Sequence, residues 1–332
     1  MNRASLIFAA ILAVLVPLSL LAGRVWIAPA DFGSGNTLLI LAELRLPRAV
    51  LAISIGAGLG AAGAAMQGYL RNPLADPGLF GIAPMAALGA VGSFWLGAAI
   101  PPAWAAWSLP LMALTGAGLG MACLALIAGR TSSDAAGGAG GGIALFTLAG
   151  LMLASLAGAL TALAITLAPN PFALSEIVLW LNGALTDRSW REVAIAAPLT
   201  LAGIAVLALA ARSLDALTLG EEAARSLGME PGRVLALLVV GVGLTVGAGV
   251  AVAGIIGFVG LVVPHLVRPL TDRMPSSLIG PSALAGACLV LAADSAVRVL
   301  PFVTELRLGI ALSLIGAPFF LWLLLRMRQG RL

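Results

Sequence analysis

The sequence of 332 residues contains no lysine, one histidine and two cysteines. Without lysine the chain cannot form the G-x-x-x-x-G-K-[ST] loop that binds nucleotide phosphates, so any ATP hydrolysis must come from another polypeptide. Cys123 and Cys288 lie in apolar runs, which indicates packing residues rather than a disulfide framework. A metal site normally needs several ligands, so His265 is expected to be a hydrogen-bonded structural residue. We predict no metal site, no cofactor in this chain and no enzymatic activity.

Charge is also scarce, since only 10% of the residues are charged and 61% are apolar. Soluble proteins carry about 25% charged residues. A soluble core could not hide so much apolar surface, so lipid must be the solvent of this chain. The 41 glycines fit that environment, because transmembrane helices pack closely through small residues.

Apolar runs of about 20 residues predict membrane-spanning helices. We predict an all-α membrane protein with about ten such helices in one domain, residues 1–332. The run 234–267 suits one full and one short helix, joined near Gly254 and Gly257. The first run could be a cleaved signal peptide, but its length favours a retained helix. The remaining predicted spans are 5–22, 49–70, 79–99, 106–128, 142–168, 191–211, 278–297 and 306–325.

The arginines predict the orientation of the chain. With the N-terminus in the cytoplasm, most of the 18 arginines fall on the inner side, as the positive-inside rule requires. Both termini are therefore expected to be cytoplasmic. The arginines expected outside are Arg24, Arg45, Arg48, Arg188, Arg191, Arg298 and Arg307.

Two segments interrupt the apolar pattern on the predicted inner side. The segment RNPLADP (71–77) carries two prolines and must turn the chain. It is either a simple loop or, through Asn72 and Leu74, part of a narrow inner mouth. The segment 213–232 contains a short amphipathic stretch that Gly228 can end. It is either a solvated surface helix or a docking helix for a soluble partner.

Three of the outer arginines, Arg45, Arg48 and Arg298, lie at predicted helix ends. Arg45 and Arg48 are three residues apart and share a face if that stretch is helical. Positive-inside statistics disfavour arginines at this surface. They either receive carboxylates of an extracytoplasmic partner or are side chains that reach the membrane interface.

Several motifs together resemble one family. RLPR (45–48), RNPLADPGLFG (71–81), LGEEAARSLG (219–228), GFVGLVVPHLVR (257–268) and LAADSAVR (291–298) occur in the order found in FecCD-type permeases. These are the membrane subunits of type II ATP-binding-cassette importers for iron–siderophores, haem and cobalamin. The resemblance covers nearly the whole chain.

The resemblance implies a type II importer permease fold and a set of partners. It implies a homodimer with the pathway at the interface, two cytoplasmic ATPase subunits that carry ATP and Mg, and a periplasmic binding protein. The location would be the bacterial inner membrane, with the lipid bilayer as surroundings and no nucleic-acid partner. The expected cargo is haem or an iron–siderophore that enters a largely apolar cavity, with cobalamin as the alternative.

The resemblance also implies residue roles. Arg45, Arg48 and Arg298 would meet glutamates of the binding protein, and Asn72 and Leu74 would belong to the cytoplasmic gate. The family usually has serine and glycine after GLFG, where this chain has apolar residues 82–85. The residues implied to couple to the ATPase are Leu219, Gly220, Glu221, Glu222, Ala224, Arg225, Leu227 and Gly228.

Two other functions are weighed against this prediction. An ion-coupled secondary transporter would need acidic residues near mid-membrane, and the sequence offers no chain of them. A membrane scaffold without transport would produce no cargo flux. The glycine-rich stretch 129–142 is expected to be a flexible cytoplasmic loop.

Overall fold

The computed structural model describes residues 3–28, 35–97, 100–129, 141–302 and 304–328. Within these ranges the chain forms helices and no strand. The glycine-rich loop predicted at 129–142 lies mostly outside them. The α-helices, in chain order, are α1 (Arg3–Leu21), α2 (Gly35–Leu70), α3 (Ile82–Leu96), α4 (Pro102–Gly129), α5 (Gly141–Thr166), α6 (Pro171–Leu181), α7 (Trp190–Leu217), α8 (Glu221–Ser226), α9 (Pro231–Ala253), α10 (Val259–Val267), α11 (Pro275–Val299) and α12 (Leu308–Arg328).

Helices stand at all ten predicted spans. Among the described residues, eight helices are long and apolar enough to cross a membrane: α1, α2, α4, α5, α7, α9, α11 and α12. The other two predicted spans are the shorter helices α3, with 15 residues, and α10, with nine. The prediction that 234–267 divides into one full and one short helix is confirmed, because residues 254–258 separate α9 from α10.

The prediction missed two features. Helix α6 has 11 residues, too few for a criterion of about 20, and Asn170 caps its first turn. Helix α2 begins at Gly35, well before the predicted start at residue 49. Charged residues lower the hydropathy of this first part, but the helix continues through a π-helical turn at Leu41–Arg45.

Helix α2 is the centre of the fold and packs most extensively against α11. Small residues permit this contact. A Cβ atom added at Gly56 would meet the carbonyl oxygen of Gly286, and one added at Gly60 would meet that of Ser282. The two backbones therefore touch, which is how transmembrane helices gain packing energy in a solvent as apolar as they are.

The break between α9 and α10 is built by two residues with positive φ. Gly254 has φ 75°, and a Cβ atom added there would meet the carbonyl oxygen of Trp180, so a side chain would clash. Phe258 has φ 66° and begins α10. Irregular backbone at membrane depth is tolerated where protein buries it or where it lines a cavity. This break does line a cavity, described below.

The long helices separate two ends of the molecule. The arginine end comprises the C-termini of α1 and α11, the turn at Arg45 and Arg48, and the connections 182–189 and 300–307. The coupling end comprises the C-termini of α2 and α7, helix α8, the connection 71–81 and the N-terminus of α11. There Gly68 lies against Pro275. The predicted docking and coupling residues thus lie at opposite ends.

Candidate functional site

A cavity of about 470 Å³ lies beside the break between α9 and α10. Its walls come from α2, α3, α9, α10, α12 and the connection 71–81, and they are almost entirely apolar. Ala83 and Pro84, which stand where the family usually has polar residues, are among the lining residues. One copy of the chain therefore contains a largely apolar cavity, and its use by the cargo stays a prediction. Leu59, Leu74, Val250, Ile256 and Phe320 also line it.

Asp76 is the one charged residue in this lining among the residues that the structure describes. Its Oδ1 accepts a hydrogen bond of 2.7 Å from the N–H of Gly78 and so caps the 3₁₀ turn Pro77–Phe80. Desolvation raises the pKa of Asp76, and hydrogen bonds from the backbone of Gly78 and Leu261 oppose that shift. Because Leu261 belongs to α10, this carboxyl group joins the connection 71–81 to α10.

Gln67 makes a second link at the coupling end. Its amide nitrogen donates to the carbonyl oxygen of Leu261 at 3.2 Å, and its Oε1 accepts from Nη2 of Arg268 at 2.9 Å. The side chain of Gln67 is buried at the end of α2. Gln67 therefore bonds the end of α2 to Leu261 of α10 and to Arg268, the residue that follows α10.

The two predicted gate residues face different spaces. Leu74 lines the apolar cavity. Asn72 is exposed, and its Oδ1 accepts from the N–H of Leu74 at 2.9 Å, which stabilises the turn. Asn72 lines a separate polar pocket with Arg71. Leu74 therefore lies on the cavity wall, Asn72 stabilises the turn that holds it there, and their role in a gate stays a prediction.

The predicted coupling segment forms a short helix, α8, between two glycines with positive φ. Gly220 has φ 103° and Gly228 has φ 86°, conformations that side chains rarely adopt. Ala224 is fully buried and holds the helix against the domain, while Leu219 and Leu227 are 67% and 68% exposed. One exposed leucine therefore precedes α8 and another follows it at the coupling end. The remaining residues assigned to coupling, Glu221, Glu222 and Arg225, also lie on α8.

The outer arginines have partners within the chain, which the sequence did not reveal. Arg48 donates to Asp294 through Nε at 2.9 Å and through Nη2 at 2.7 Å, and it also bonds to Glu305. Asp294 is fully buried, Arg48 is 11% exposed and Glu305 is 19% exposed. Thr186 donates to Glu305 as well. Arg48 therefore joins α2 to α11 and to the connection 300–307.

Arg298 and Arg45 bind the C-terminal end of α1. Arg298 is buried, contacts Asp294 at 3.1 Å and donates to the carbonyl oxygens of Ser19 and Ala22. Arg45 donates to the carbonyl oxygens of Leu20, Leu21 and Val25 at 2.7–2.8 Å. Arg45 and Arg48 are three residues apart on a helical stretch, as the prediction required. Their side chains nevertheless contact different helices, Arg45 contacting α1 and Arg48 contacting α11.

The acidic members of this cluster, Asp294 and Glu305, were missed as partners. Asp294 and Arg298 are four residues apart on α11, a spacing that places both on one helix face and could have revealed the pair. Glu305 lies in a connection and carries no such signal. Desolvation raises the pKa of Glu305, but the hydrogen bonds and charge of Arg48 outweigh it and hold the pKa below its usual value.

The expectation of a hydrogen-bonded His265 is not met. Its Nδ1 is buried and has no hydrogen-bond partner in the part of the chain that the structure describes. The ring instead packs edge-on against Phe319, with 6.3 Å between the centroids. His265 lies near the end of α10, a helix whose other residues are all apolar.

A family comparison covers nearly the whole chain. The model of the FecCD transport family matches residues 11–326. The chain belongs to the FecCD transport family. FecCD permeases are membrane subunits of ATP-binding-cassette importers, so this protein is a multi-pass membrane permease, and ATP hydrolysis lies in a separate subunit.

Relatives of this FecCD permease include proteins with named cargoes. The hemin transport system permease protein HmuU of Yersinia pestis is 37% identical over 289 residues, which are 87% of this chain and 84% of the relative. The vitamin B12 import system permease protein BtuC of Klebsiella pneumoniae is 36% identical over 318 residues, 96% of this chain and 92% of the relative. BtuC of Salmonella typhimurium is 38% identical over 314 residues, covering 93% and 90%.

A solved structure has the same fold. It is described as a metal-chelate type ABC transporter in an inward-facing conformation. The similarity has a TM-score of 0.85 at 27% sequence identity, and it covers 97% of this chain and 98% of the other. The type II importer permease fold predicted from the motifs is therefore confirmed.

Proposed function

We propose that this permease imports a metal chelate, haem or an iron–siderophore, across the bacterial inner membrane. The observation that carries the proposal is the apolar cavity at the junction of α2, α9, α10 and the connection 71–81. An apolar wall binds a bulky chelate weakly and non-directionally, which favours passage over retention. The HmuU relative, named for hemin, supports this class of cargo.

Cobalamin is the second candidate. The relatives named for vitamin B12 import align over a larger share of this chain, 93–96%, than HmuU does. Cobalamin is also a bulky macrocyclic metal chelate, so the same apolar cavity is compatible with it. Cargo choice then depends on which binding protein delivers the ligand.

The power for transport comes from two ATPase subunits bound at the coupling end, which would hold ATP and Mg. The surface formed by Leu219, α8 and Leu227 suits a groove on such a partner, because two exposed leucines flank a short helix. ATP binding would move this surface, and α7 and α9, which are joined by it, would carry the motion to the cavity. Two copies of the permease would enclose the pathway.

If the ATPase subunits bind at the coupling end, that end and both chain termini face the cytoplasm. Ser226 is exposed on α8 and suits a cysteine substitution. In intact cells, a membrane-impermeant thiol reagent should leave Ser226→Cys unlabelled and should label it after lysis. Labelling in intact cells would contradict both the orientation and the coupling role.

The periplasmic binding protein docks at the arginine end, where Arg45, Arg48 and Arg298 cluster. These arginines are already bonded within the chain, so a docking carboxylate must displace an internal one. Glu305 is the more exposed of the two acids on Arg48 and is the one to be displaced. Docking therefore includes an exchange of carboxylates on Arg48.

Removal of the competing acid tests this exchange. Glu305→Gln should increase the affinity for the binding protein, and Glu176→Gln should not, although it removes the same charge from exposed α6. Affinity would be measured in detergent at low and moderate salt. A weaker or unchanged affinity for Glu305→Gln would refute the exchange.

Reconstitution tests the whole proposal. The permease, its ATPase and its binding protein would be placed in proteoliposomes and supplied with haem, a ferric siderophore or cobalamin. We expect ATP-dependent uptake of an iron chelate. Uptake of cobalamin alone would select the second candidate, uptake without ATP would indicate a secondary transporter, and no uptake of any chelate would refute import.

A further inference from the structure

A second pocket, of about 210 Å³, lies at the coupling end between the C-termini of α2 and α7 and the N-terminus of α11. Three arginines line it: Arg71, Arg268 and Arg273. Among the described residues of its lining there is no acid. We call it the three-arginine pocket. It is separate from the apolar cavity, and none of the roles proposed above uses it.

The guanidinium groups in this pocket lack anionic partners. In the described ranges none of the three forms an ion pair, whereas Arg48, Arg191 and Arg298 at the other end all do. Arg268 donates from Nη2 to Gln67, but its Nε is buried and has no hydrogen-bond partner among the described residues. A buried donor without an acceptor is costly, so an acceptor at this point would be stabilising.

Two acids that lie close in sequence to lining residues, Asp215 and Asp272, accept hydrogen bonds elsewhere. Oδ1 of Asp215 accepts the N–H of Ser276 at 2.8 Å and so caps α11. Oδ1 of Asp272 accepts the N–H of Met274 at 3.0 Å and the hydroxyl of Ser277. Neither acid lines the pocket. The positive charge of the three arginines is therefore not balanced from within the lining.

The backbone also holds two of these arginines in an unfavourable conformation. Arg71 has φ 51° and Arg273 has φ 69°. They are two of four described non-glycine residues with positive φ, and both line this pocket. Such strain persists where the surroundings over-determine it and is concentrated at functional sites. Here both residues with positive φ line the pocket together with Arg268.

We propose that the three-arginine pocket binds a phosphate group, carried either by an anionic phospholipid headgroup or by a soluble phosphate. Guanidinium groups bind phosphate oxygens through paired, charge-assisted hydrogen bonds, which would supply the acceptor that Nε of Arg268 lacks. The volume is below the roughly 300–1,000 Å³ of sites for drug-sized ligands, which favours a small anion over a chelate.

A bound phosphate would affect the inner mouth. Asn72 and Pro73 line the same pocket, and Leu74 follows them on the wall of the apolar cavity. The anion would therefore fasten the connection 71–81 to the start of α11 through Arg71 and Arg273. Occupancy of the pocket would stabilise one position of the segment that presents Leu74.

The test compares wild type with Arg71→Asn/Arg273→Asn. Asparagine tolerates positive φ better than arginine, so this double variant should fold, and without anions it should be at least as stable as wild type. Arg233→Asn is the matched control, because Arg233 is exposed and does not line the pocket. Thermal unfolding would be measured in phosphatidylcholine nanodiscs, with inorganic phosphate titrated at constant ionic strength or with phosphatidylglycerol added.

We expect inorganic phosphate, phosphatidylglycerol or both to raise the unfolding temperature of wild type and of Arg233→Asn. The double variant should need roughly tenfold more anion, or show no response. A response to phosphatidylglycerol alone identifies the lipid source, and a response to inorganic phosphate identifies the soluble one. The proposal is overturned if wild type responds in neither arm, or if the double variant responds as wild type does. Neither result depends on the identity of the cargo.

Discussion

Asp294 gives the most direct prediction about stability. Its carboxylate is fully buried and contacts both Arg48 and Arg298, which are 11% and 8% exposed. Asp294→Asn preserves the shape of the side chain but leaves two buried guanidinium groups facing a neutral amide. Removal of one partner from a buried ion pair destabilises proteins by about 3–5 kcal/mol. We expect Asp294→Asn to lower the free energy of unfolding by about 3 kcal/mol, the lower limit of that range, because Glu305 still neutralises Arg48.

Reversible unfolding would be measured in mixed micelles by varying the detergent composition. The seven tryptophans would report the transition. Two further variants calibrate the result. Arg191→Gln removes an ion pair whose arginine is 41% exposed, and it should cost about 0.5 kcal/mol. Glu305→Gln should cost about 1 kcal/mol, because solvent partly screens it. A loss below about 1 kcal/mol for Asp294→Asn would refute the argument that this carboxylate is the electrostatic centre of the arginine end.

Three other substitutions test the fold and the proposed mechanism. Gly60→Val should prevent normal packing of α2 on α11 and sharply reduce the yield of folded protein. Gly280→Ala is the control, because Gly280 has open space around it and its substitution should not reduce the yield. A normal yield of Gly60→Val would contradict the close contact of α2 with α11. Leu227→Glu should weaken co-purification of the ATPase tenfold or more while leaving thermal stability unchanged, and undiminished binding would exclude Leu227 from the contact. Asp76→Asn should loosen the connection 71–81 from α10, which protease cleavage within that connection would detect; cleavage at the wild-type rate would argue against the link.

The geometry also bears on ion-coupled transport. Such a mechanism needs acids that change protonation near mid-membrane. Among the described residues, the buried acids Glu192 and Asp294 are paired with arginine at the arginine end, whereas Asp76 lines the apolar cavity and accepts a backbone hydrogen bond, so these acids form no chain from one end of the molecule to the other. This arrangement favours an external source of energy.

Sequence alone located the helices with few errors. Hydropathy and helix-breaking residues act over short distances, so the positions of ten apolar helices and the break that begins at Gly254 could be predicted from them. Helix α6 and the start of α2 escaped because short helices and charged helical turns have weak hydropathy signals. The coupling segment was predictable for the same local reason, since Gly220 and Gly228 delimit it within a polar stretch.

The sequence by itself determined that this chain is a multi-pass membrane protein, where its apolar helices lie and where its polar interruptions fall. Tertiary structure alone decided which charges meet: Arg48 with Glu305, 257 residues apart, and Arg71 with Arg268 in a pocket without an acid. Crossing a membrane depends on the composition of one segment. Pairing of charges depends on how distant helices pack, and that packing is set by small residues such as Gly56 and Gly60 along the full length of α2.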